Sequence, residues 1–237
     1  LPSDRDGYMH LYLYDMNGKL IRQVEKGNYD VTSIYGMNEK TGDVYFQAAK
    51  LNAHDRQVYV AHKNGKVERL TDAEGSNAAI FSGDYRYFVN TWSSYAHPYV
   101  FTVRSNKGKV IKMLEDNKKL LEKTKQYNWG KRETFSFTTS EGVKLDGWMV
   151  KPVDFDASKK YPVILFQYSG PGSQQVLDAW STGSMGSGGA FDYYLAQEGF
   201  IVACVDGRGT GGPRIPENFI WCKMKVANFT KEHCKQI

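Results

Sequence analysis

The stretch Lys159-Lys160-Tyr161-Pro162-Val163-Ile164-Leu165-Phe166-Gln167-Tyr168-Ser169-Gly170-Pro171-Gly172 decides how the rest of the chain is read. Two lysines and a proline lead into a continuous apolar run without period-2 alternation. Such a run, bounded by turn residues, predicts a strand buried on both faces of a parallel or mixed sheet. Gly170-Pro171-Gly172 ends it, because neither residue type continues a hydrogen-bonded ladder. Tyr168 is thereby placed at the carboxyl end of a central strand, where open α/β sheets carry their chemistry. The pattern recurs in Gly199-Phe200-Ile201-Val202-Ala203-Cys204-Val205-Asp206, followed by Gly207-Arg208-Gly209-Thr210. Between the two runs, Ala190 to Glu198 has helical character, with Gly199 as its C-terminal stop. Two buried strands, each ending in a glycine-rich loop, read as the start of an α/β sheet.

Upstream the chain repeats itself. His10-Leu-Tyr-Leu-Tyr-Asp-Met-Asn-Gly18-Lys-Leu-Ile-Arg22 matches Gln57-Val-Tyr-Val-Ala-His-Lys-Asn-Gly65-Lys-Val-Glu-Arg69. A third copy, Tyr99-Val-Phe-Thr-Val-Arg-Ser-Asn-Lys-Gly108-Lys-Val-Ile111, carries one extra residue before its glycine. Each copy is an alternating strand, an Asn-containing turn closing on Gly-Lys, and a second strand, which is a hairpin signature. The turn glycines are 47 and then 43 residues apart. Further strand pairs lie between the copies, over Val31–Tyr35 with Val44–Gln47 and over Ala78–Phe81 with Tyr85–Asn90. Four strands in each ~45 residues is the period of a β-propeller blade. Tyr12, Tyr45, Tyr59 and Phe88 are read as packing between strands.

From Leu114 to Lys125 the composition turns helical, with Asn117 as the cap and Lys118 to Lys125 as a solvated face, so this segment marks a domain boundary. Glu133–Thr139 and Val143–Val150 form a hairpin around Ser140-Glu141-Gly142. Ser181 to Gly189 is a serine- and glycine-rich loop. From Pro213 to Ile237 two early prolines precede a segment with no clear period, foreign in character to the rest, as at a damaged or frame-shifted gene end. Leu1 is not an initiator methionine, so the chain is expected to be a piece of something longer.

Composition excludes several function classes. The 31 Lys and Arg are interspersed with 26 Asp and Glu, for a net charge of +5, and no basic surface for nucleic acid is indicated. No apolar run approaches the ~18 residues of a membrane span. The three cysteines, Cys204, Cys222 and Cys234, do not make a disulfide framework. His10, His54, His62, His97 and His233 show no zinc-type spacing, so no metal is expected. Gly207-Arg-Gly-Thr-Gly-Gly212 formally matches a dinucleotide fingerprint, but Pro213 and Pro216 follow where a helix should open. A tight turn after a buried strand is the reading taken, and no cofactor is expected.

Gly7 to Tyr14, Val100 to Val103, Val110 with Leu114-Glu115-Asp116-Asn117, Lys159 to Pro162, Gln167 to Pro171 and Val205-Asp-Gly-Arg-Gly-Thr210 together closely resemble the dipeptidyl peptidase IV-like members of the prolyl oligopeptidase family. The likeness is nearest to the bacterial members and runs from residue 1 to about 212. It implies a mixed fold class: the C-terminal blades of a β-propeller (1–117, about two and a half blades), then the N-terminal part of an α/β-hydrolase domain (118–212), then an atypical tail (213–237). It also implies a serine-type dipeptidyl peptidase acting on peptide substrates to release N-terminal Xaa-Pro or Xaa-Ala dipeptides. Family members are often homodimeric, and periplasmic, secreted or at the cell surface.

The resemblance matches Tyr168 to the tyrosine whose hydroxyl stabilises the oxyanion, against a plain reading as a tyrosine packed at a strand end. It also suggests that Arg208 orders the region near the site, a surface arginine being the other reading. The family's nucleophile lies in a Gly-x-Ser-x-Gly elbow followed by Asp and His. No such elbow occurs in this sequence. Ser187 lacks the first glycine and precedes a helix rather than ending a strand. Asp206 stands where a catalytic acid could sit, without a histidine in a matching motif. The glutamates that hold the substrate amine would fall before Leu1. The chain is therefore expected to be inactive by itself, with aggregation expected of its unpaired strands. The alternative is a non-enzymatic β-propeller interaction module.

Overall fold

The computed structural model describes residues 1–168, 172–180, 183 and 189–210. Its first three sheets are antiparallel and come in chain order. The first contains β1 (Pro2–Ser3), β2 (His10–Tyr14) and β3 (Leu20–Gln23). The second contains β4 (Val31–Asn38), β5 (Asp43–Ala48), β6 (Gln57–Ala61) and β7 (Val67–Arg69). The third contains β8 (Ser76–Phe81), β9 (Tyr87–Ser94), β10 (His97–Ser105) and β11 (Val110–Glu115). One three-stranded and two four-stranded sheets match the repeat read from the sequence. The repeat copies are the hairpins β2–β3, β6–β7 and β10–β11. Gly18, Gly65 and Gly108 turn them at φ of 79°, 87° and 82°, a conformation that penalises a Cβ.

Alternation along the strands of the second sheet sends side chains to both of its faces. Val44, Phe46, Ala48, Tyr59 and Ala61 join Leu11, Val24, Tyr29 and Val31 in one core against the first sheet. Tyr45, Val58 and Val60 join Leu70, Ala79 and Phe88 in a second core against the third. This face-to-face stacking of sheets, as in propeller blades, explains why all five residues of β6 are buried. Each large core side chain contributes accordingly. Truncating the fully buried Phe46 to alanine would cost about 3–5 kcal/mol.

In the turn from β8 to β9 the left-handed residue is not a glycine but Tyr85, at φ 55°. Asp84 accepts hydrogen bonds from the Ser82 hydroxyl (2.7 Å) and the Arg86 backbone N–H (3.1 Å), which stabilises the tight loop. The Tyr85 ring stacks on Tyr45 at 5.2 Å, and that contact favours the unusual backbone.

β11 runs through Glu115, so helix α1 (Lys118–Thr124) begins later than the helical composition suggested. α1 buries no residue, as expected of a solvated face. Asn117 occupies the N-cap position but does not cap the helix. Its backbone is left-handed (φ 48°), and its side-chain Nδ2 donates to the carbonyl of Tyr99 at 2.6 Å. The partner on β10 outcompeted the local cap.

The fourth sheet is mixed, in the order β12 (Arg132–Thr138), β13 (Lys144–Val150), β15 (Ile201–Val205), β14 (Val163–Phe166). β12–β13 and β13–β15 pair antiparallel, whereas β14 and β15 pair parallel. A parallel pair needs a crossover, and α2 (Ala190–Gln197) lies within it. Gly199, at φ 87°, ends α2: its N–H bonds to the Ala196 carbonyl and that of Phe200 to the Leu195 carbonyl.

The two apolar runs lie side by side as a parallel pair. β15 is the central strand, buried at all five residues. Val202 and Cys204 face Trp148, Val150, Val176 and Ala196 of α2, while Ile201 and Ala203 pack with Met149 on the other face. β14 pairs on one side only among the described residues, and Val163 is 50% exposed. A continuous apolar run reports a need for burial on two faces. It does not report whether the strand has one lateral neighbour or two.

Candidate functional site

Tyr168 lies two residues beyond the end of β14 and is 63% exposed. It therefore stands at the carboxyl end of an edge strand of the described sheet rather than of a central one. Its backbone carbonyl accepts a hydrogen bond from the Ser173 hydroxyl at 2.9 Å. The segment from Ser173 to Trp180 then runs as a strap between the mixed sheet and the blade-like sheets.

On the sheet side the strap is held by Asp206, at the carboxyl end of β15. The Asp206 carboxylate accepts the backbone N–H groups of Gln175 and Val176, both at 2.9 Å. The indole N–H of Trp148 donates to the Gln175 carbonyl at 3.3 Å. On the other side Arg56 donates to the Gln174 Oε1, and Gln174 Nε2 donates to the Ala53 carbonyl at 2.7 Å. The Asp178 backbone N–H reaches the His54 carbonyl (3.0 Å), and the Asp178 carboxylate accepts the Tyr95 N–H (2.7 Å). Trp180 donates to the Ser93 hydroxyl and accepts from the Tyr99 hydroxyl, both at 3.1 Å.

Burial sets the electrostatics here. It pushes the Asp206 and Asp178 carboxyls above their usual range. The N–H groups of Gln175 and Val176 draw Asp206 part of the way back, and the Tyr95 N–H does the same for Asp178. Arg56 is pulled down to about 10 by burial, so it remains a cation at neutral pH. By accepting two backbone N–H groups, Asp206 anchors the strap to the tip of β15.

His54 and Asp146 approach to 3.3 Å, and Ser136 donates to the other oxygen of Asp146 at 2.6 Å. A serine, a carboxylate and a histidine thus meet, but in the wrong order. The hydroxyl of a catalytic serine must contact the imidazole that deprotonates it, and here it is bonded to the carboxylate. Arg208 pairs with Glu141 at 3.2 Å on the surface. In the glycine-rich loop Gly209 has φ 86° and the Thr210 hydroxyl donates back to the Gly207 carbonyl at 3.0 Å, a tight turn. Gly211, Gly212, Ser187, Cys222, His233 and Cys234 lie outside the described residues.

The other described histidines have local partners. His10 is buried between Glu25 (2.9 Å) and the Gly27 carbonyl (3.0 Å), and His62 bonds Asp43 at 2.9 Å. His97 lies against Trp92 with ring centroids 4.8 Å apart. Among the described residues no group of three or more His, Cys, Asp or Glu side chains is placed to hold a metal ion. No helix of the described residues is long and apolar enough to cross a membrane.

Sequence reading missed Arg56, Gln174 and Asp178, which make this joint. The only local signal was the polar pair Gln174-Gln175 shortly after the Gly-Pro-Gly sequence.

Comparison with known proteins bears on the whole of this architecture. Residues 2–99 match the family model for the dipeptidyl peptidase IV (DPP IV) N-terminal region. A dipeptidyl peptidase 4 of Arthroderma otae is 32% identical over 219 residues, and one of Trichophyton rubrum is 31% identical over 214. Both matches cover 88% of this chain, which spans 27% of the length of these curated relatives. The crystal structure of Porphyromonas gingivalis dipeptidyl peptidase 4 is 44% identical with a TM-score of 0.82, over 90% of this chain and 29% of that one. A putative dipeptidyl aminopeptidase IV from Bacteroides ovatus is 27% identical with a TM-score of 0.73, over 89% of this chain and 32% of that one.

Proposed function

Because this chain is dipeptidyl peptidase IV-like, we propose that it is the stretch of such a peptidase in which the last propeller blades meet the first strands of an α/β-hydrolase domain. Residues 1–117 are then the propeller part, 118–212 the start of the hydrolase part and 213–237 an appendage. The observation that carries this reading is the parallel β14–α2–β15 unit, with Tyr168 beyond the carboxyl end of β14 and Asp206 beyond that of β15. Ligand sites of open α/β sheets gather at those ends.

In this reading the complete enzyme hydrolyses peptides to release N-terminal Xaa-Pro or Xaa-Ala dipeptides. The role of Tyr168 is to donate its phenolic O–H to the oxyanion that forms when a serine attacks the scissile carbonyl. A donor fixed before the charge develops is worth roughly 10²–10³ in kcat. The serine nucleophile, its histidine base and the orienting acid are not supplied by this chain, so the chain alone turns nothing over.

The test has two arms. The purified chain is assayed on a Gly-Pro anilide and shows no turnover above blank. Residues 1–210 then replace the matching segment of the Porphyromonas gingivalis enzyme, and the chimera cleaves the same substrate. Tyr168→Phe in that chimera lowers kcat by roughly 10²-fold with little change in KM. A folded but inert chimera, or a Tyr168→Phe variant with unchanged kcat, would sink the proposal.

A further inference from the structure

Deepening that reading, on which the meaning of Tyr168 rests, we propose that Asp206 and Gln174 are positioning residues that hold Tyr168 by clamping the strap from two sides. The bonds form a continuous path. Asp206 accepts from the N–H groups of Gln175 and Val176. The Gln175 side-chain amide donates to the Ser173 carbonyl at 2.8 Å, and the Ser173 hydroxyl donates to the carbonyl of Tyr168 itself. The carboxylate at the tip of the central strand is thereby linked, through one turn of strap, to the backbone of the exposed phenol.

The second clamp comes from the blade-like sheets. Gln174 uses both ends of its amide: Oε1 accepts from Arg56, while Nε2 donates to Ala53 and to the Val176 carbonyl at 3.0 Å. Arg56 is fixed in turn by the carbonyls of Ala53 (3.0 Å) and Asp55 (2.8 Å). A planar guanidinium held at one nitrogen by two carbonyls presents its other terminal nitrogen in a fixed direction, which suits it to orient an amide. The strap is therefore bound to a segment 118 residues away in sequence, and the blade that carries Arg56 takes part in placing Tyr168.

Placing 3-fluorotyrosine at position 168 of this chain and recording its 19F resonance tests the clamp without turnover. In the parent chain the resonance should be displaced from its position in urea. Gln174→Ala and Asp206→Asn should each move it toward that position, with amide exchange at 173–176 rising about tenfold or more. Gln174→Glu keeps an acceptor for Arg56 and loses the donor to Ala53, so its resonance should fall between parent and alanine variant. The melting temperature and the far-UV circular dichroism report the global fold. If Asp206→Asn unfolds the chain, the two Gln174 variants decide alone.

A Tyr168 resonance that stays at the parent position in a folded Gln174→Ala or Asp206→Asn chain overturns the proposal, whatever exchange does at 173–176. The readout is independent of the oxyanion assignment. A kcat unchanged by Tyr168→Phe in the chimera would remove the function of Tyr168 and leave the clamp standing, and the reverse pair of results would do the opposite.

Discussion

Arg132 and Asp192 form an ion pair at 3.2 Å in which neither side chain is more than 3% exposed. It joins the first residue of β12 to the first turn of α2, where a carboxylate also suits the helix dipole. The guanidinium lies 4.1 Å from the centroid of a Trp148 ring and 5.4 Å from that of Tyr95, in the turn between β9 and β10. One cation thus touches the mixed sheet, its covering helix and the third sheet.

Breaking this pair from one side removes a charge that compensates a buried one. Asp192→Asn is expected to destabilise the chain by about 3–5 kcal/mol, measured by urea unfolding. Replacing both partners by apolar residues, as in Arg132→Met with Asp192→Leu, should cost markedly less than Asp192→Asn alone. Equal losses in the single and double variants would refute the assignment.

Equivalent turn glycines should not be equally replaceable. Gly18 and Gly108 share a left-handed backbone, but a Cβ on Gly18 meets nothing within 4 Å, whereas one on Gly108 would lie 2.5 Å from the Leu70 carbonyl oxygen. Gly18→Ala should cost about 1 kcal/mol from backbone strain alone. Gly108→Ala must also displace the Leu70 backbone just beyond β7, and should lower the melting temperature by clearly more. A comparison of the two melting curves decides it.

Asp178 provides a pH test. Burial raises its folded pKa, so ionisation costs stability, and that cost is relieved as pH falls through the raised value toward the ordinary 3.8. Asn at this position can still accept the Tyr95 N–H but does not titrate. The melting temperature of Asp178→Asn minus that of the parent should therefore decrease between pH 7 and pH 4. A difference that is flat or grows on acidification would contradict the assignment.

The Cys204 thiol is enclosed between Trp148 and α2, and burial pushes its pKa up to about 12. In a Cys222→Ser, Cys234→Ser background the chain should be inert to a thiol-specific disulfide reagent at pH 8 and should react with one equivalent in urea. Rapid reaction in the folded chain would show that the core around β15 is open.

The features legible in the sequence are those with local causes. A Gly-Lys turn between alternating strands announces itself within a dozen residues, which is why the hairpins turning at Gly18, Gly65 and Gly108 could be placed. Gly199 could be read as a helix stop for the same reason. The misreading at Asn117 has a non-local origin: its amide turns to Tyr99, which is not adjacent in sequence. The joint was invisible for the same cause, since the Arg56 to Gln174 and Ser93 to Trp180 contacts span 118 and 87 residues. Asp206 could be seen to end a strand, but its role is fixed by whose N–H groups arrive there.

The two-sided burial of the second sheet sets an order of melting. Its β6 backbone is insulated by a neighbour on either side, whereas the first sheet is backed by a described sheet on one side only. Such a stack behaves like a row of dominoes, each slab steadied by those that touch it. Fraying would start at the β1–β3 end and reach Val58 and Val60 last, so these two amides should be the slowest clocks in the blade-like part of the chain.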